Sequence, residues 1–161
     1  RRGLDFFRLA AGDRPSGPFP MNQGPTILIV DDDEGHAILI RQNLEIAGLN
    51  NRIEHFRDGQ AILDFFFTRR DLADETYLVL LDIRMPKVDG IEVLRRIRSD
   101  PRTHELPVVM LTSSSLDRDA IECYDLGVNS YIVKPVDFDE FTEAIRSVGQ
   151  YWLTLNQPAM P

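Results

Sequence analysis

At 161 residues the chain has the length of one domain and can bury a proper core. A formal net charge of -8 argues against a broad phosphate-backbone footprint on nucleic acid, and a single cysteine, Cys123, excludes an internal disulfide or a cysteine metal cluster. With 43% hydrophobic and 27% charged residues, and no apolar run long enough to span a bilayer, a cytoplasmic protein without a membrane segment is expected.

The first twenty residues, "RRGLDFFRLAAGDRPSGPFP", are broken by Asp5, Arg8 and Asp13 and make a poor signal sequence. Residues 1–24 are read as an N-terminal extension or an added head, Met21 offering a natural start; "LDFFRLA" could dock as an apolar helical turn. Four apolar runs follow: "TILIV" (26–30), "YLVLL" (77–81), "PVVML" (107–111) and "SYIVK" (130–134). None alternates cleanly between apolar and polar, which predicts strands buried on both faces of a parallel sheet. A fifth run, "NRIEHF" (51–56), does alternate and suits an edge strand.

Helical spacing lies between the strands. Ala37, Ile40, Leu44 and Ala47 form one stripe, with Gly48 as a stop. Ala61, Ile62, Phe65 and Phe66 form a second, and Ile91, Leu94 and Ile97 a third. Leu116, Ala120, Ile121 and Tyr124 give a fourth up to Gly127, and Phe138, Phe141, Ile145 and Val148 a fifth, capped by Asp137. Arg95, Arg96 and Arg98 read as the wet face of the third helix, and Cys123 as a packing thiol. Strand-helix repeated five times calls for right-handed crossovers and helices on both faces of one sheet. The tail "QYWLTLNQPAMP" is too short for a second domain; its Tyr151 and Trp152 either pack back or meet a partner.

In a parallel sheet the strand ends gather along one edge, where ligands bind. Here that edge collects Asp31, Asp32 and Asp33, then Asp82, Thr112 and Lys134. Acids brought that close repel unless a cation neutralises them. Oxygen ligands without histidine or thiol suit Mg²⁺, and Lys134 is one of only two lysines in the chain. Such a site can take phosphorus: Asp82 attacks in line, and Lys134 and the ion offset charge on the transferring oxygens. Thr112 would donate a hydrogen bond to the acylphosphate formed. His36, His55 and His104 share no metal spacing and are expected to be solvated or turn residues.

Taken together, "ILIVDDDE", "LVLLDIRMPKVDG", "VVMLTSS" and "YIVKP" resemble the receiver domain of two-component response regulators, over residues 26–148. The resemblance implies a flavodoxin-like (CheY-like) doubly wound five-stranded parallel sheet, order 2-1-3-4-5, forming a single domain over residues 25–148. It implies that Asp82 accepts a phosphoryl group from a phosphohistidine on a sensor histidine kinase or phosphotransfer protein. It further implies Mg²⁺ held directly by Asp32, through water by Asp31, and by Asp82 and the carbonyl of Arg84, with Asp33 left as a helix N-cap. Thr112 and Tyr131 match the switch positions, and Lys134–Pro135 would be a cis peptide. Arg84 departs from the small or polar residues often found at its position, and its bulk would reshape acylphosphate hydrolysis. The long stretch "FFFTRRDLADET" and the ending "YWLTLNQP" are similar to stand-alone regulators paired with bacteriophytochromes and other phytochromes, which implies a homodimer contacted through residues 149–161.

On this reading the chain is a phosphoacceptor rather than an enzyme acting on a separate substrate, catalysing only its own phosphotransfer and slow dephosphorylation. A pseudo-receiver binding module is the alternative, but such chains usually lose an acid or the lysine, and here the set is complete. An Asp-nucleophile phosphatase would need an acid where Arg84 stands, and "DDDEGH" would repel a flavin phosphate. A transcription factor would need a DNA-binding module after the fifth helix.

Overall fold

Three strands of pure aliphatic character form the centre of the molecule. In a computed structural model, which describes residues 24–155, β1 (Thr26–Val30), β3 (Tyr77–Leu81) and β4 (Val108–Thr112) are buried at every position. They are flanked by β2 (Ile53–Phe56) and β5 (Ser130–Val133) in one parallel sheet of order β2-β1-β3-β4-β5. The head at residues 1–23 and the tail beyond residue 155 lie outside the described residues.

Four α-helices connect the strands, α1 (Glu34–Ile46), α2 (Gly59–Thr68), α3 (Gly90–Ser99) and α4 (Asp117–Asp125), and α5 (Phe138–Gln150) follows β5. Asp33, Asp58, Asp89 and Asp137 each cap a helix by accepting a backbone N–H from the first turn. At Gly48 and Gly127, φ is +79° and +85°, and paired 6→1 and 5→2 hydrogen bonds close α1 and α4. Two apolar clusters result, one on each sheet face. Ile27, Ile29, Ile40, Leu44, Phe141 and Ile145 define the α1–α5 side; Leu28, Val30, Phe66, Leu94, Ile97 and Cys123 belong to the other.

Register decides where the strand ends fall. Val30 pairs with Leu81, so Asp31 and Asp82, the next residue on each strand, leave the sheet level with one another. Thr112 pairs with Val133, which brings Lys134 to the same edge.

Several sequence expectations are corrected. The strand "SYIVK" is an edge strand, with Val133 exposed, because among the described residues β4 is its one neighbour in the sheet. The stripe expected to anchor α4 faces outward instead: Leu116, Ile121 and Tyr124 are 45%, 61% and 56% exposed, while Asp119 and Cys123 turn inward. Phe138, expected on the buried face of α5, is 64% exposed at its first turn. Arg98 is no solvated side chain. Its guanidinium donates to the carbonyls of Leu106 and Gly127 and to Asn129 Oδ1, and burial pulls its pKa down to about 10. Among the described residues no peptide bond is cis, so Lys134–Pro135 is trans, the form favoured intrinsically by about 0.5–1 kcal/mol. Trp152 and Leu153 pack partly against the α1–α5 cluster, whereas Tyr151 is half-exposed.

Candidate functional site

The pocket lies at the C-terminal edge of β1 and β3. Asp82 is 6% exposed, with its backbone N–H on the Val30 carbonyl and its Oδ1 accepting from Ile83 N at 2.7 Å. That leaves Oδ2 turned into the pocket. Gly90 makes the arrangement possible, since a Cβ there would sit 2.0 Å from the Asp82 carbonyl oxygen. Asp31 is 2% exposed; its Oδ1 accepts from Asp33 N at 2.9 Å and its carbonyl meets His55 Nε2 at 2.7 Å. Asp32 is exposed at the mouth.

Carboxylate oxygens of Asp31, Asp32 and Asp82 all lie within 4.8 Å of one another. The neutralising charge is Lys134, whose Nζ lies 2.5 Å from Asp31 Oδ2 and 3.3 Å from Asp82 Oδ2. Burial raises the Asp31 carboxyl above the usual carboxylate range, and Asp82 adds to that rise; the charge and hydrogen bond of Lys134 oppose it. A pocket that holds two buried acids on one ammonium still carries excess negative charge.

A second group stands beside this pocket. Thr112 is fully buried and its Oγ1 accepts from Ser114 N at 3.2 Å. Half-buried Tyr131 donates its hydroxyl to the Ser114 carbonyl at 2.9 Å, and burial raises its pKa. Ser114 Oγ in turn donates to Asp119 Oδ2 at 2.5 Å, and Arg84 Nη2 reaches the same oxygen at 3.0 Å. The Arg84 side chain therefore leans toward α4 and away from the acids.

Structure thus gathers Asp31, Asp32, Asp82 and Lys134 into one pocket, and Thr112, Tyr131 and Arg84 into the adjoining network. Asp33 is the α1 N-cap, and hydrogen bonding from His36 N holds its carboxyl below the usual range. Sequence reasoning missed three partners. His36 and His55, expected to be solvated, bond the pocket, and buried Asp119 ties Arg84 to Ser114. The only signal for His36 was its position one helical turn from the acids; nothing marked Asp119. His104 does bond as a turn residue, its Nδ1 meeting the Pro101 carbonyl.

Comparison with known proteins agrees with this architecture. The family model described as "Response regulator receiver domain" matches residues 27–146. The probable methanogenesis regulatory protein FilR2 of Methanothrix harundinacea is 40% identical over 136 residues, covering 84% of this chain and 88% of its own. Response regulator Rcp1 of Synechocystis is 31% identical, covering 86% and 96%, and its Mn²⁺-bound structure superposes with a TM-score of 0.75 over 84% of this chain and 99% of that one. The phosphorylated cyanobacterial phytochrome response regulator RcpA, 29% identical, superposes with a TM-score of 0.77 over 85% and 99%. Other curated relatives are longer, and the chain spans about half of them (48% of the Synechocystis regulator RpaA). By family model, sequence identity and fold, the chain belongs to the response regulator receiver domains, whose general function is phosphorylation-based signalling.

Proposed function

We propose that in this receiver domain Asp82 takes a phosphoryl group from a phosphohistidine. The observation that carries the reading is the pocket itself: three carboxylates within 4.8 Å of one another, with a buried lysine spanning the two buried ones. Asp82 Oδ2 forms the bond to phosphorus as the phosphorus–nitrogen bond of the donor breaks and the imidazole leaves with that electron pair. Lys134 exchanges its contact with Asp82 for one with a phosphoryl oxygen. The hydroxyl of Thr112 turns from Ser114 N toward the phosphoryl group, Tyr131 changes rotamer, and the surface of α4, β5 and α5 is altered for a partner protein. The excess negative charge and the all-oxygen donor set fit a hard divalent ion. Asp31, Asp32, Asp82 and the Arg84 carbonyl would hold Mg²⁺, which would supply charge neutralisation for the incoming phosphoryl oxygens.

The donor is a sensor histidine kinase or phosphotransfer protein, and the likeness to RcpA supports a phytochrome-type kinase. Self-association through the exposed Tyr151 region is part of this reading. No helix among the described residues is long and apolar enough to cross a membrane. Incubation with acetyl phosphate and Mg²⁺, read by intact mass spectrometry, should add one phosphoryl group. Full labelling of Asp82→Asn, or labelling indifferent to EDTA, refutes the proposal.

A further inference from the structure

An ammonium group has three N–H donors and no acceptor. Two donors of Lys134 go to Asp31 Oδ2 at 2.5 Å and Asp82 Oδ2 at 3.3 Å; the third goes to His36 Nδ1 at 3.1 Å. The lysine side chain is 5% exposed, so these three acceptors saturate it with little recourse to water. His36 is held for this contact from two sides. Its backbone N–H bonds the Asp33 carboxylate at 3.1 Å, fixing the first turn of α1. Its ring packs on the Phe141 ring of α5, with centroids 5.8 Å apart at 42°. Because an ammonium only donates, this contact requires the Nδ1 lone pair and therefore a ring whose proton sits on Nε2.

We propose that His36 is a positioning residue for the phosphoryl-transfer step. Together with Asp31, it draws the Lys134 ammonium to the α1 side of the pocket. Asp82 Oδ2 is thereby left with the longest of the three contacts, its lone pair least engaged and available to phosphorus. Without the imidazole acceptor the ammonium settles closer to Asp82 and competes with the phosphorus for the same oxygen. This inference rests on Asp82 being the phosphoacceptor.

Two substitutions separate the acceptor from the ring. His36→Phe keeps the packing on Phe141 and removes the acceptor; His36→Asn loses the ring and sets an amide oxygen at the same bond count from the backbone as Nδ1. The rate of Asp82 phosphorylation by acetyl phosphate, in which the bond from phosphorus to the acetate oxygen breaks as the bond to Asp82 forms, is measured against donor concentration at saturating Mg²⁺. For His36→Phe the limiting rate should fall about fivefold with the half-saturating concentration unchanged, the size expected when one hydrogen bond to a charged group is partly replaced by water. His36→Asn should stay within about twofold of the parent rate. An unchanged His36→Phe, or a His36→Asn as slow as or slower than His36→Phe, overturns the proposal, because the ring and not its nitrogen would then matter. Nitrogen-15 NMR of the metal-free parent protein provides a readout independent of phosphorylation. A His36 ring protonated on Nε2, with its Nδ1 signal changed by Lys134→Met, is expected; a proton on Nδ1 overturns the contact. Failure of the parent protein to label at Asp82 would sink the phosphoacceptor reading instead, and the NMR result would still decide whether the imidazole binds the lysine.

Discussion

Alanine in place of Gly90 sets two opposed effects against each other at one carbon atom. Gly90 is the first residue of α3 and its φ is not positive, so helix propensity alone favours alanine by up to about 1 kcal/mol. The added Cβ, however, would lie 2.0 Å from the Asp82 carbonyl oxygen, 2.8 Å from its carbon and 2.9 Å from Ile83 Cα, where ordinary contact begins at 3.4 Å. All three atoms are backbone, so no rotamer change relieves the clash. The segment is also pinned by Asp82 N on the Val30 carbonyl at 2.9 Å and Gly90 N on the Ile83 carbonyl at 2.8 Å. Separating the chains by an ångström loses packing worth about 1–3 kcal/mol and weakens two hydrogen bonds of about 1 kcal/mol each, for a net cost of about 2–4 kcal/mol. Urea denaturation followed by circular dichroism should show a lower midpoint at an unchanged slope. Gly48→Ala serves as comparison: φ is +79° with nothing within 4 Å, so only the left-handed backbone is charged, about 1 kcal/mol. A Gly90→Ala midpoint equal to or above that of the parent would refute the steric reasoning.

Arg84 and Asp119 should not weigh equally in their shared network. Arg84 is more than half exposed, so Arg84→Ala is expected to cost less than about 1 kcal/mol, whereas Asp119→Ala also strands the buried Ser114 hydroxyl and should cost about 2 kcal/mol by the same denaturation assay; the reverse order would contradict the network. Stability should also fall in acid through the cap of α2. The N–H of Ala61 and the ammonium of Lys87 hold the Asp58 carboxyl below its unfolded value of 3.8, so its contribution is complete above that value and is lost as pH falls through the lower folded one. Asp58→Asn, which keeps an acceptor but cannot titrate, should flatten the part of the pH–stability curve that lies below the unfolded value of 3.8, and an unaltered curve would remove Asp58 from the account.

The sequence alone was enough to define the layered architecture. Aliphatic runs without alternation pointed to burial from both sides, which holds for β1, β3 and β4 and fails for the edge strand β5, and Gly48 and Gly127 mark helix ends because only glycine takes their positive φ without cost. The acids were legible for the same reason: a carboxylate closing a buried strand must emerge at the sheet edge. Tertiary structure alone decided what those groups touch. Leu116, Ile121 and Tyr124 repeat at helical spacing, yet α4 turns the opposite face inward, since a stripe records where apolar residues lie and not which neighbour comes to cover them. The imidazole of His36 and the ammonium of Lys134 are separated by 98 positions, and Arg84 and Asp119 by 35. Contacts of that kind follow from strand register and helix docking, which bring distant side chains to 3.0 and 3.1 Å without leaving any periodic trace in the chain.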